Sequence, residues 1–282
     1  MLAVLRRKLK NRYRRAKLHF IRRFFRYDKE QLKKRLHALG VRDGDTILLH
    51  SAYSSASGFD GPPSLLVEAF IEAVGAHGNL LMVSMPYSSS TSDYLRQGRT
   101  FDVRNTPSKM GLVTEAFRRR PNVVRSVNPA HPVLAHGPRA EWIVANHENC
   151  PYSCGPGSPF EKLASLNGKV LFFGVSEYYS TFYHYLEHLI QDGLPFPLYE
   201  AEPYVTKVID AQGGERSVTT YAFSKEAISR RRPAALREEL ARNGQFARSR
   251  IGNTPLLLVS VSEGIRCTQE LVRKGAHFYQ MG

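Results

Sequence analysis

Four short apolar runs constrain what this chain of 282 residues can fold into. They occupy residues 46–50, 80–85, 169–175 and 255–261, and each is five to seven residues long. Runs of this length that are separated by segments of helical spacing are typical of strands in a largely internal sheet. The sequence therefore predicts an α/β (α+β) fold, in which a single mixed-sheet domain is flanked by helices.

Leucines at helical spacing mark the first helix of this domain. Leu32, Leu36 and Leu39 predict a helix over 27–39 that ends at Gly40. The segment between 85 and 106 is long for a compact domain, and we expect it to cover a site. The same patterns predict helices at 63–74, 106–120, 234–243 and 268–279, and a hairpin formed by 201–208 and 217–223.

The net charge of +15 is concentrated near the N-terminus. Eleven of the 40 Lys and Arg residues precede Asp28, the first acidic residue, which leaves 29 cations against 25 carboxylates in the rest of the chain. The chain is thus divided into a basic arm, residues 1–27, and a nearly charge-balanced domain, residues 28–282. The high isoelectric point therefore describes the arm and says little about the domain.

Apolar residues of the arm recur at helical spacing among these cations. They are Leu2, Leu5, Leu9, Tyr13, Ala16, Phe20 and Phe24. A basic amphipathic helix of this kind is typical of segments that lie on an anionic membrane. Packing of the apolar stripe on the domain or on a sister subunit is the alternative, so a homodimer is also a candidate assembly. No nucleic-acid partner is expected, because no recognised nucleic-acid module follows the arm.

The composition excludes several other classes of protein. A hydrophobic content of 42% is too high for a disordered chain, and three cysteines form no disulfide framework. No apolar run reaches the length of a membrane span, and the N-terminus lacks the apolar core and cleavage site of a signal peptide. We therefore expect a cytoplasmic protein that is peripheral to the inner face of the membrane where its arm binds.

The nine residues at 180–188 carry the most chemistry. They read S-T-F-Y-H-Y-L-E-H and place His184, Glu187 and His188 within about one helical turn. His184 is a candidate general base that Glu187 orients. The spacing H-x-x-E-H also matches the inverted zinc-peptidase signature, in which His184 and His188 bind the metal of a zinc hydrolase. The third interpretation is a polar helix start that only packs.

Four blocks of sequence, taken in order, resemble the aminoglycoside 3-N-acetyltransferase family (antibiotic N-acetyltransferases). The first two are L-L-H-S-A-Y-S-S-A-S-G at 48–58 and T-P-S-K-M-G-L-V-T-E-A-F-R at 106–118. The third is P-N-V-V-R-S-V-N-P-A-H-P-V-L-A-H-G-P at 121–138, and the fourth is G-S-P-F-E-K-L at 157–163 with the later T-F-Y-H-Y-L-E-H. Each block is weak alone, whereas all of them in this order are specific. The resemblance leaves out the basic arm.

The resemblance implies transfer of an acetyl or other short acyl group from acetyl-coenzyme A to an amine, with His184 at the family's catalytic position. A histidine is suited to take the proton that the amine loses at neutral pH, and this chemistry requires no metal. The family's other motifs fall on Ser51, Ser108, Met110 and Gly111, which are the residues expected to line the cofactor site.

Three features depart from the family's pattern. Asn128 stands where members often have histidine, and the basic arm has no counterpart. Resistance enzymes place an acid that supports the catalytic histidine where this chain has 217–223, which contains none. The acceptor is therefore expected to be either an aminoglycoside-like antibiotic or an amino sugar of surface polysaccharide assembly, and a membrane-binding arm favours the latter. The missing acid also leaves open a non-catalytic, acyltransferase-like binding module.

Overall fold

The main architectural element is a seven-stranded mixed sheet. The computed structural model describes residues 6, 12–13, 16–21, 23–54, 56–243, 246–275 and 279–280 of the chain. The predicted mixed sheet is confirmed. Its strands, in spatial order, are β4 (Val124–Arg125), β5 (Val133–His136), β2 (Asn79–Val83), β1 (Thr46–Ser51), β6 (Lys169–Phe173), β10 (Thr254–Ser260) and β9 (Phe246–Ile251).

The three central strands of this sheet are parallel. β1 pairs with β2 on one side and with β6 on the other, so that Leu48 lies opposite both Leu81 and Val170. The outer pairings, from β2 through β5 to β4 and from β6 through β10 to β9, are antiparallel. Every residue of β2 and four of the five residues of β6 are buried, because helices cover both faces of the sheet.

The helices divide between the two faces of the sheet. One face is packed by α1 (Lys29–Leu39), α2 (Pro63–Val74) and α4 (Leu112–Arg118). The other is packed by α5 (Ala140–Val144), α6 (Pro159–Ser165), α7 (Tyr183–Leu189), α9 (Ala234–Arg242) and α10 (Val261–Arg273). Two short helices, α3 (Thr91–Leu95) and α8 (Lys225–Arg230), lie in the connections.

The bounds of α1 follow from the residues at its two ends. The Asp28 side chain accepts a hydrogen bond from the backbone N–H of Gln31 at 2.8 Å, and the Gln31 side chain accepts one from the N–H of Asp28 at 3.0 Å. This reciprocal capping box starts the helix. Gly40 ends it in the left-handed conformation, with a φ of 116°. The predicted leucine stripe of α1 is buried.

A second, smaller sheet has three strands. β3 (Phe101–Asp102) pairs in parallel with β7 (Tyr204–Ile209), which pairs antiparallel with β8 (Glu215–Thr220). β7 and β8 form the predicted hairpin. Phe101 is buried together with Val208 and Val218, so this sheet has a small core of its own.

Two of the predicted helices differ from the structure. The segment 106–120 is helical only over α4, because the Lys109 N–H donates to the Met85 carbonyl at 2.8 Å and holds the preceding residues beside the end of β2. The predicted helix 268–279 starts earlier and ends earlier, as α10. Its start was hidden because the apolar β10 runs directly into α10 at Val261. Tyr279 instead forms an isolated backbone bridge with Arg231.

The basic arm lies partly outside the described residues, and the first apolar positions of its stripe, Leu2, Leu5 and Leu9, are among those left out. Residues 16–21 are helical, as predicted. In the described part of the chain, no helix combines the length and the apolar character needed to cross a bilayer.

Tyr27 packs on the domain although it falls within the expected arm. Its ring lies 5.6 Å from that of Phe59, and its hydroxyl lies 3.1 Å from the Thr254 hydroxyl. Ile21 is buried as well. The division of the chain at residues 27 and 28 stays a prediction. A deletion from the N-terminus that is meant to spare the domain has to end before Ile21.

Candidate active site

The candidate site lies at the edge of the main sheet where the parallel strands end. Because β1, β2 and β6 are parallel, their carboxyl ends share this edge, and β1 brings His50 and Ser51 to it. β5 runs antiparallel to β2 and therefore begins there, which brings His131 to the same place. Open α/β sheets bind ligands at this edge, at the strand from which neighbours extend in both directions. Here that strand is β1.

The helix α7 supplies the central pair of side chains. His184 and Glu187 lie three residues apart on one face of it. The His184 Nδ1 and Glu187 Oε2 atoms are 2.7 Å apart, and Glu187 is completely buried. The structure thus brings these two side chains into contact, as helical spacing predicts, whereas their catalytic roles stay predictions.

Two further groups bind the buried carboxylate. Arg231 donates to Glu187 through Nε at 2.5 Å and through Nη2 at 2.9 Å, and the Tyr279 hydroxyl donates to the same carboxylate. Burial alone would raise the pKa of Glu187. The hydrogen bond from His184 and the charge of Arg231 outweigh burial and hold this pKa below its ordinary value. Glu187 is therefore ionised at neutral pH.

The ionised carboxylate determines the tautomer of His184. A carboxylate only accepts hydrogen bonds, so the proton of the neutral ring lies on Nδ1 and the lone pair lies on Nε2. Burial lowers the pKa of His184 from its ordinary value of 6.5; the hydrogen bond to Glu187 opposes this shift, and the charge of Arg231 adds to it. At neutral pH the ring is therefore uncharged and Nε2 is able to accept a proton.

A second buried histidine stands beside this pair. The rings of His131 and His184 are 5.5 Å apart, and Nδ1 of His131 lies 2.7 Å from the Ser153 hydroxyl. Burial holds the pKa of His131 well below its ordinary value, and the neighbouring His184 adds to this effect. The Ser153 carbonyl accepts a hydrogen bond from Nε2 of His147 at 2.8 Å. One serine thus connects two buried, neutral histidines.

Asn128 shapes the turn that presents His131. Its side-chain oxygen accepts hydrogen bonds from the N–H groups of Ala130 at 3.0 Å and His131 at 3.2 Å. Its side-chain amide donates to the His147 carbonyl at 3.2 Å. Since Asn128 is completely buried, this pairing satisfies backbone groups that water does not reach. The residue that departs from the family's frequent histidine therefore has a structural role in this chain.

Three buried polar atoms near this edge have no hydrogen-bond partner among the described residues. They are His50 Nε2, Ser51 Oγ and Ser84 Oγ. An unpartnered buried polar group costs roughly 1–3 kcal/mol, so such atoms mark places where a ligand or water binds. The His50 ring stacks on Phe172 at 5.3 Å, and burial lowers the pKa of His50 to about 4, with His184 adding to the shift.

Three of the expected cofactor residues lie just before α4. The Ser108 N–H donates to the Glu115 carboxylate at 3.0 Å, and the Met110 N–H donates to the Ser108 hydroxyl at 3.2 Å. Gly111 precedes the helix with a φ of 104°. The amides of Ser108 and Met110 are therefore engaged within the protein, whereas Ser51 keeps an unpartnered hydroxyl. Since α4 and α7 pack on opposite faces of the sheet, the residues just before α4 and the His184–Glu187 pair approach the sheet edge from different sides.

His188 belongs to a different network from His184. Its Nδ1 lies 2.9 Å from the Tyr199 hydroxyl, and its ring packs against Tyr152 at 5.4 Å. Within the part of the chain that the structure describes, no three His, Cys, Asp or Glu side chains are grouped to hold a metal ion. The zinc interpretation of H-x-x-E-H therefore has no set of converging ligands here.

Four residues around α7 carry no signal in the sequence. Arg231 is the middle of three consecutive arginines, Tyr279 falls in a predicted helix, and Ser153 lies between two cysteines. Phe223 belongs to the segment in which a carboxylate was expected. Its ring lies 4.6 Å from that of His184, and the Arg231 guanidinium lies 5.4 Å from its centre. Only the folded chain brings these positions together.

An α/β sheet that holds an oriented, neutral histidine at its ligand edge defines a class of proteins suited to general-base chemistry on a bound ligand. Within that class, the profile of the aminoglycoside 3-N-acetyltransferase family matches residues 48–273. The chain belongs to this family, and the resemblance seen in its sequence is confirmed.

Individual relatives agree with this assignment. The chain is 33% identical over 165 residues to aminoglycoside N(3)-acetyltransferase IV of Salmonella sp, a match that covers 58% of this chain and 59% of that protein. It is 29% identical over 211 residues to aminoglycoside N(3)-acetyltransferase III of Serratia marcescens, which covers 71% of this chain and 77% of that protein. The chain thus spans about three fifths of the length of the first of these relatives.

Solved structures are similar over nearly the whole chain. Aminoglycoside acetyltransferase AAC(3)-Xa is similar with a TM-score of 0.75 at 24% identity, over 88% of this chain and 93% of that one. AAC-IIIb, in a binary complex with CoASH, is similar with a TM-score of 0.74 at 23% identity, over 90% of this chain and 99% of that one. At this level of identity the similarity confirms the fold.

Proposed function

We propose that this protein is an acyl-coenzyme A-dependent N-acyltransferase that moves an acetyl or other short acyl group to the amine of a sugar. The observation that carries the proposal is the buried His184–Glu187 pair, which leaves Nε2 of a neutral imidazole as a proton acceptor. The names of the relatives support the reaction type, and the CoASH complex of AAC-IIIb supports coenzyme A as the acyl carrier.

The reaction requires a proton transfer that His184 is suited to make. The lone pair of the acceptor amine forms a C–N bond to the thioester carbon, while the carbonyl π electrons move to the oxygen. Nε2 of His184 takes the proton that the nitrogen loses. When the tetrahedral intermediate collapses, the C–S bond breaks and the proton passes to the departing thiolate of coenzyme A. The ionised Glu187 stabilises the imidazolium that exists in between.

Ser51 is the first candidate contact for the acyl donor. Its hydroxyl is buried without a partner at the end of β1, where it would donate to the thioester oxygen as negative charge develops. Ser108, Met110 and Gly111 are the proposed wall of the same site. Because two of their amides are engaged within the protein, contact there falls mainly to side chains and to Gly111.

The aromatic surroundings of His184 favour a sugar of low positive charge as the acceptor. The ring of Phe223 lies 4.6 Å from His184, that of Tyr199 lies 5.1 Å from Phe223, and that of Tyr152 lies 4.4 Å from Tyr199. Aromatic side chains are common linings of small-molecule sites, whereas a polycation calls for carboxylates, and 217–223 contains none. We therefore favour an amino sugar on a nucleotide or lipid carrier.

The competing acceptor is an aminoglycoside. A variant of AAC(3)-IVa, similar to this chain with a TM-score of 0.73 at 25% identity, is described in complex with gentamicin. An assay of coenzyme A release separates the two classes when it is run with acetyl-coenzyme A and a panel of free amino sugars, nucleotide-linked amino sugars and gentamicin. We expect turnover of an amino sugar that His184→Ala loses and that His77→Ala, a change at an exposed histidine, retains.

Each other result of that assay assigns a different function. Turnover of gentamicin alone would keep the reaction and overturn the proposed acceptor. Binding of acetyl-coenzyme A without turnover of any amine would favour the non-catalytic binding module. Stoichiometric zinc in the purified protein, with activity lost on its removal, would favour the zinc hydrolase.

We further propose that the basic arm binds the surface of an anionic membrane. Phe20 and Phe24 are 54% and 66% exposed, and their rings are 4.8 Å apart. Lys17 and Arg23 lie beside them and have no carboxylate partner among the described residues. Exposed aromatic rings among cations fit the interface of an anionic bilayer, where each cation contributes about 1 kcal/mol.

Deletion of residues 1–19 tests this attachment, because it removes eight of the arm's eleven cations and most of its apolar stripe while it spares the buried Ile21 and Tyr27. The full-length protein is expected to sediment with vesicles that contain anionic lipid, and less so at high salt, because salt screens exposed charges. The truncated protein is expected to stay in solution with its melting temperature and turnover unchanged. Unfolding or a changed oligomeric state on truncation would show that the apolar stripe packs on protein.

A further inference from the structure

We propose that Arg231 and Tyr279 are positioning residues, which together hold Glu187 in the orientation from which it directs His184. This inference rests on the proposed function, since it concerns the same histidine. Neither residue is near α7 in sequence: Arg231 links α8 to α9, and Tyr279 follows α10.

Both oxygens of the Glu187 carboxylate are fully engaged. Oε2 accepts from His184 Nδ1 at 2.7 Å and from Arg231 Nη2 at 2.9 Å. Oε1 accepts from Arg231 Nε at 2.5 Å and from the Tyr279 hydroxyl. A carboxylate offers about four lone-pair sites, so these four bonds saturate it. Because Glu187 is completely buried, rotation of the carboxylate would break bonds that water does not replace.

The Tyr279 hydroxyl reaches the carboxylate because the chain around it is docked beside α8. The N–H of Gln280 donates to the Arg230 carbonyl at 2.7 Å, and the Tyr279 ring packs edge-on against Phe196 at 5.3 Å. Tyr279 and Arg231 face each other in the same backbone bridge. The two outer partners of the carboxylate are therefore carried by a single local unit.

The stability of the fold does not by itself call for this arrangement. A buried ion pair is often no more stabilising than apolar residues of the same volume, because both charges lose their hydration. What the arrangement does determine is the direction of Oε2, the atom that accepts the Nδ1 proton of His184. A carboxylate that turned away would leave the tautomer of the base undetermined.

The titratable groups around His184 determine the sign of the expected effect. They are Glu187 on its own helix, Arg231 and Tyr279 behind the carboxylate, Tyr183 beside it, and His50 and His131 at the sheet edge. Burial and the charge of Arg231 lower the pKa of His184, whereas Glu187 raises it. Loss of the bond from Tyr279 frees Oε1, so the carboxylate is held less firmly towards Nδ1–H. Because Glu187 raises the pKa of His184, that pKa then falls.

The decisive variant is Tyr279→Phe, which removes one donor and keeps the ring. Its matched control is Tyr179→Phe, because Tyr179 is 73% exposed. Both are made in the full chain and compared by NMR titration of the His184 imidazole and by the pH profile of acyl transfer. In Tyr279→Phe we expect kcat to fall about tenfold, as a lost bond to a charged group predicts, with KM little changed and the pKa of His184 lowered. Tyr179→Phe should change none of these.

A second variant separates charge from geometry. Arg231→Lys keeps the cation and removes the two-bond fork, so it changes the geometry alone. We expect kcat to fall about tenfold and the pKa of His184 to fall, as in Tyr279→Phe. Arg273→Lys, at an exposed arginine on α10, should change neither. If Tyr279→Phe fails to fold, Arg231→Lys and its control carry the test.

The proposal is wrong if the titration of His184 and kcat in Tyr279→Phe match the wild type. A lowered melting temperature with an unchanged titration would assign Tyr279 a purely structural role and would also overturn it. The NMR titration needs no substrate. Failure to find any acyl transfer would therefore count against the proposed function and leave this inference testable.

Discussion

At the scale of single residues, one carboxylate determines which nitrogen of His184 carries the proton of the neutral ring. Neighbours three residues apart on a helix lie close enough for direct contact, so helical spacing brings Glu187 within reach of the imidazole. The acid that the resemblance placed at 217–223 is thus not needed to orient the proposed base. An aromatic ring, Phe223, stands beside the histidine instead.

Replacement of the proposed base, His184, measures how much it contributes to turnover. His184→Ala is expected to lower turnover about 10²–10⁴-fold, the usual contribution of general-base catalysis. Glu187→Gln should lower turnover less than His184→Ala does, because an amide keeps the shape of the carboxylate. The change also leaves Arg231 with a neutral partner. Steady-state kinetics and melting curves check both. Near-normal turnover by a folded His184→Ala protein would rule out this histidine as the base.

At the scale of helices and strands, the sequence predicts best those elements whose pattern is complete in itself. The helix at 63–74 has the predicted bounds, and the strands β1 and β6 lie where their apolar runs predict. β4 and β5 have only two and four residues, so no periodicity reveals them, and they are defined by their pairing with each other and with β2.

One part of the site also follows from a local sequence pattern, and another part does not. His184 and Glu187 lie three residues apart on one helix, and their contact follows from helical spacing. Arg231 and Tyr279 reach Glu187 through the docking of α8 and of the chain after α10, which no local pattern encodes. Residues that act on a neighbour through tertiary contacts therefore need the structure to be found.

The turn before α4 has a requirement that only glycine meets easily. At Gly111 the backbone has φ of 104° and ψ of 174°, a region that costs other residues about 1–3 kcal/mol. An added Cβ would meet no atom within 4 Å, so strain is the whole expected effect of Gly111→Ala. Gly193→Ala, also in open space but without a positive φ, is the control. Denaturant unfolding should show a lower free energy of unfolding for Gly111→Ala and no change for Gly193→Ala. Equal stabilities of the two variants would contradict backbone strain at Gly111.

At the scale of the whole molecule, the domain holds several neutral histidines in its interior near one edge. Burial lowers the pKa of His50 and of His147 to about 4, and it holds that of His131 well below its ordinary value. In the unfolded chain these groups take up protons near the ordinary value of 6.5. The folded protein therefore favours the uncharged form of each of these rings.

This difference makes the fold sensitive to acid. Between pH 6.5 and pH 4 the unfolded chain binds more protons than the folded one, so the free energy of unfolding falls as the pH falls. Each such histidine contributes up to about 1.4 kcal/mol per pH unit within that window. Denaturant unfolding at a series of pH values should show that the free energy of unfolding declines as the pH falls. His147→Gln should make this decline less steep, whereas His77→Gln, at an exposed histidine, should not. A stability that stays constant from pH 7 to pH 5 would contradict it.

The placement of β6 beside β1 has a consequence for how the protein folds. These two parallel strands are separated in sequence by the strands β2 to β5 and the helices α2 to α6, so a large loop has to close before they pair. Pairings of this kind form slowly. His50 lies on one side of the seam and α7 on the other, so activity after dilution from denaturant returns with the slow phase, after most helical signal. Until then the apolar edge of β1 is uncovered, and recovery should decline as the protein concentration during refolding rises.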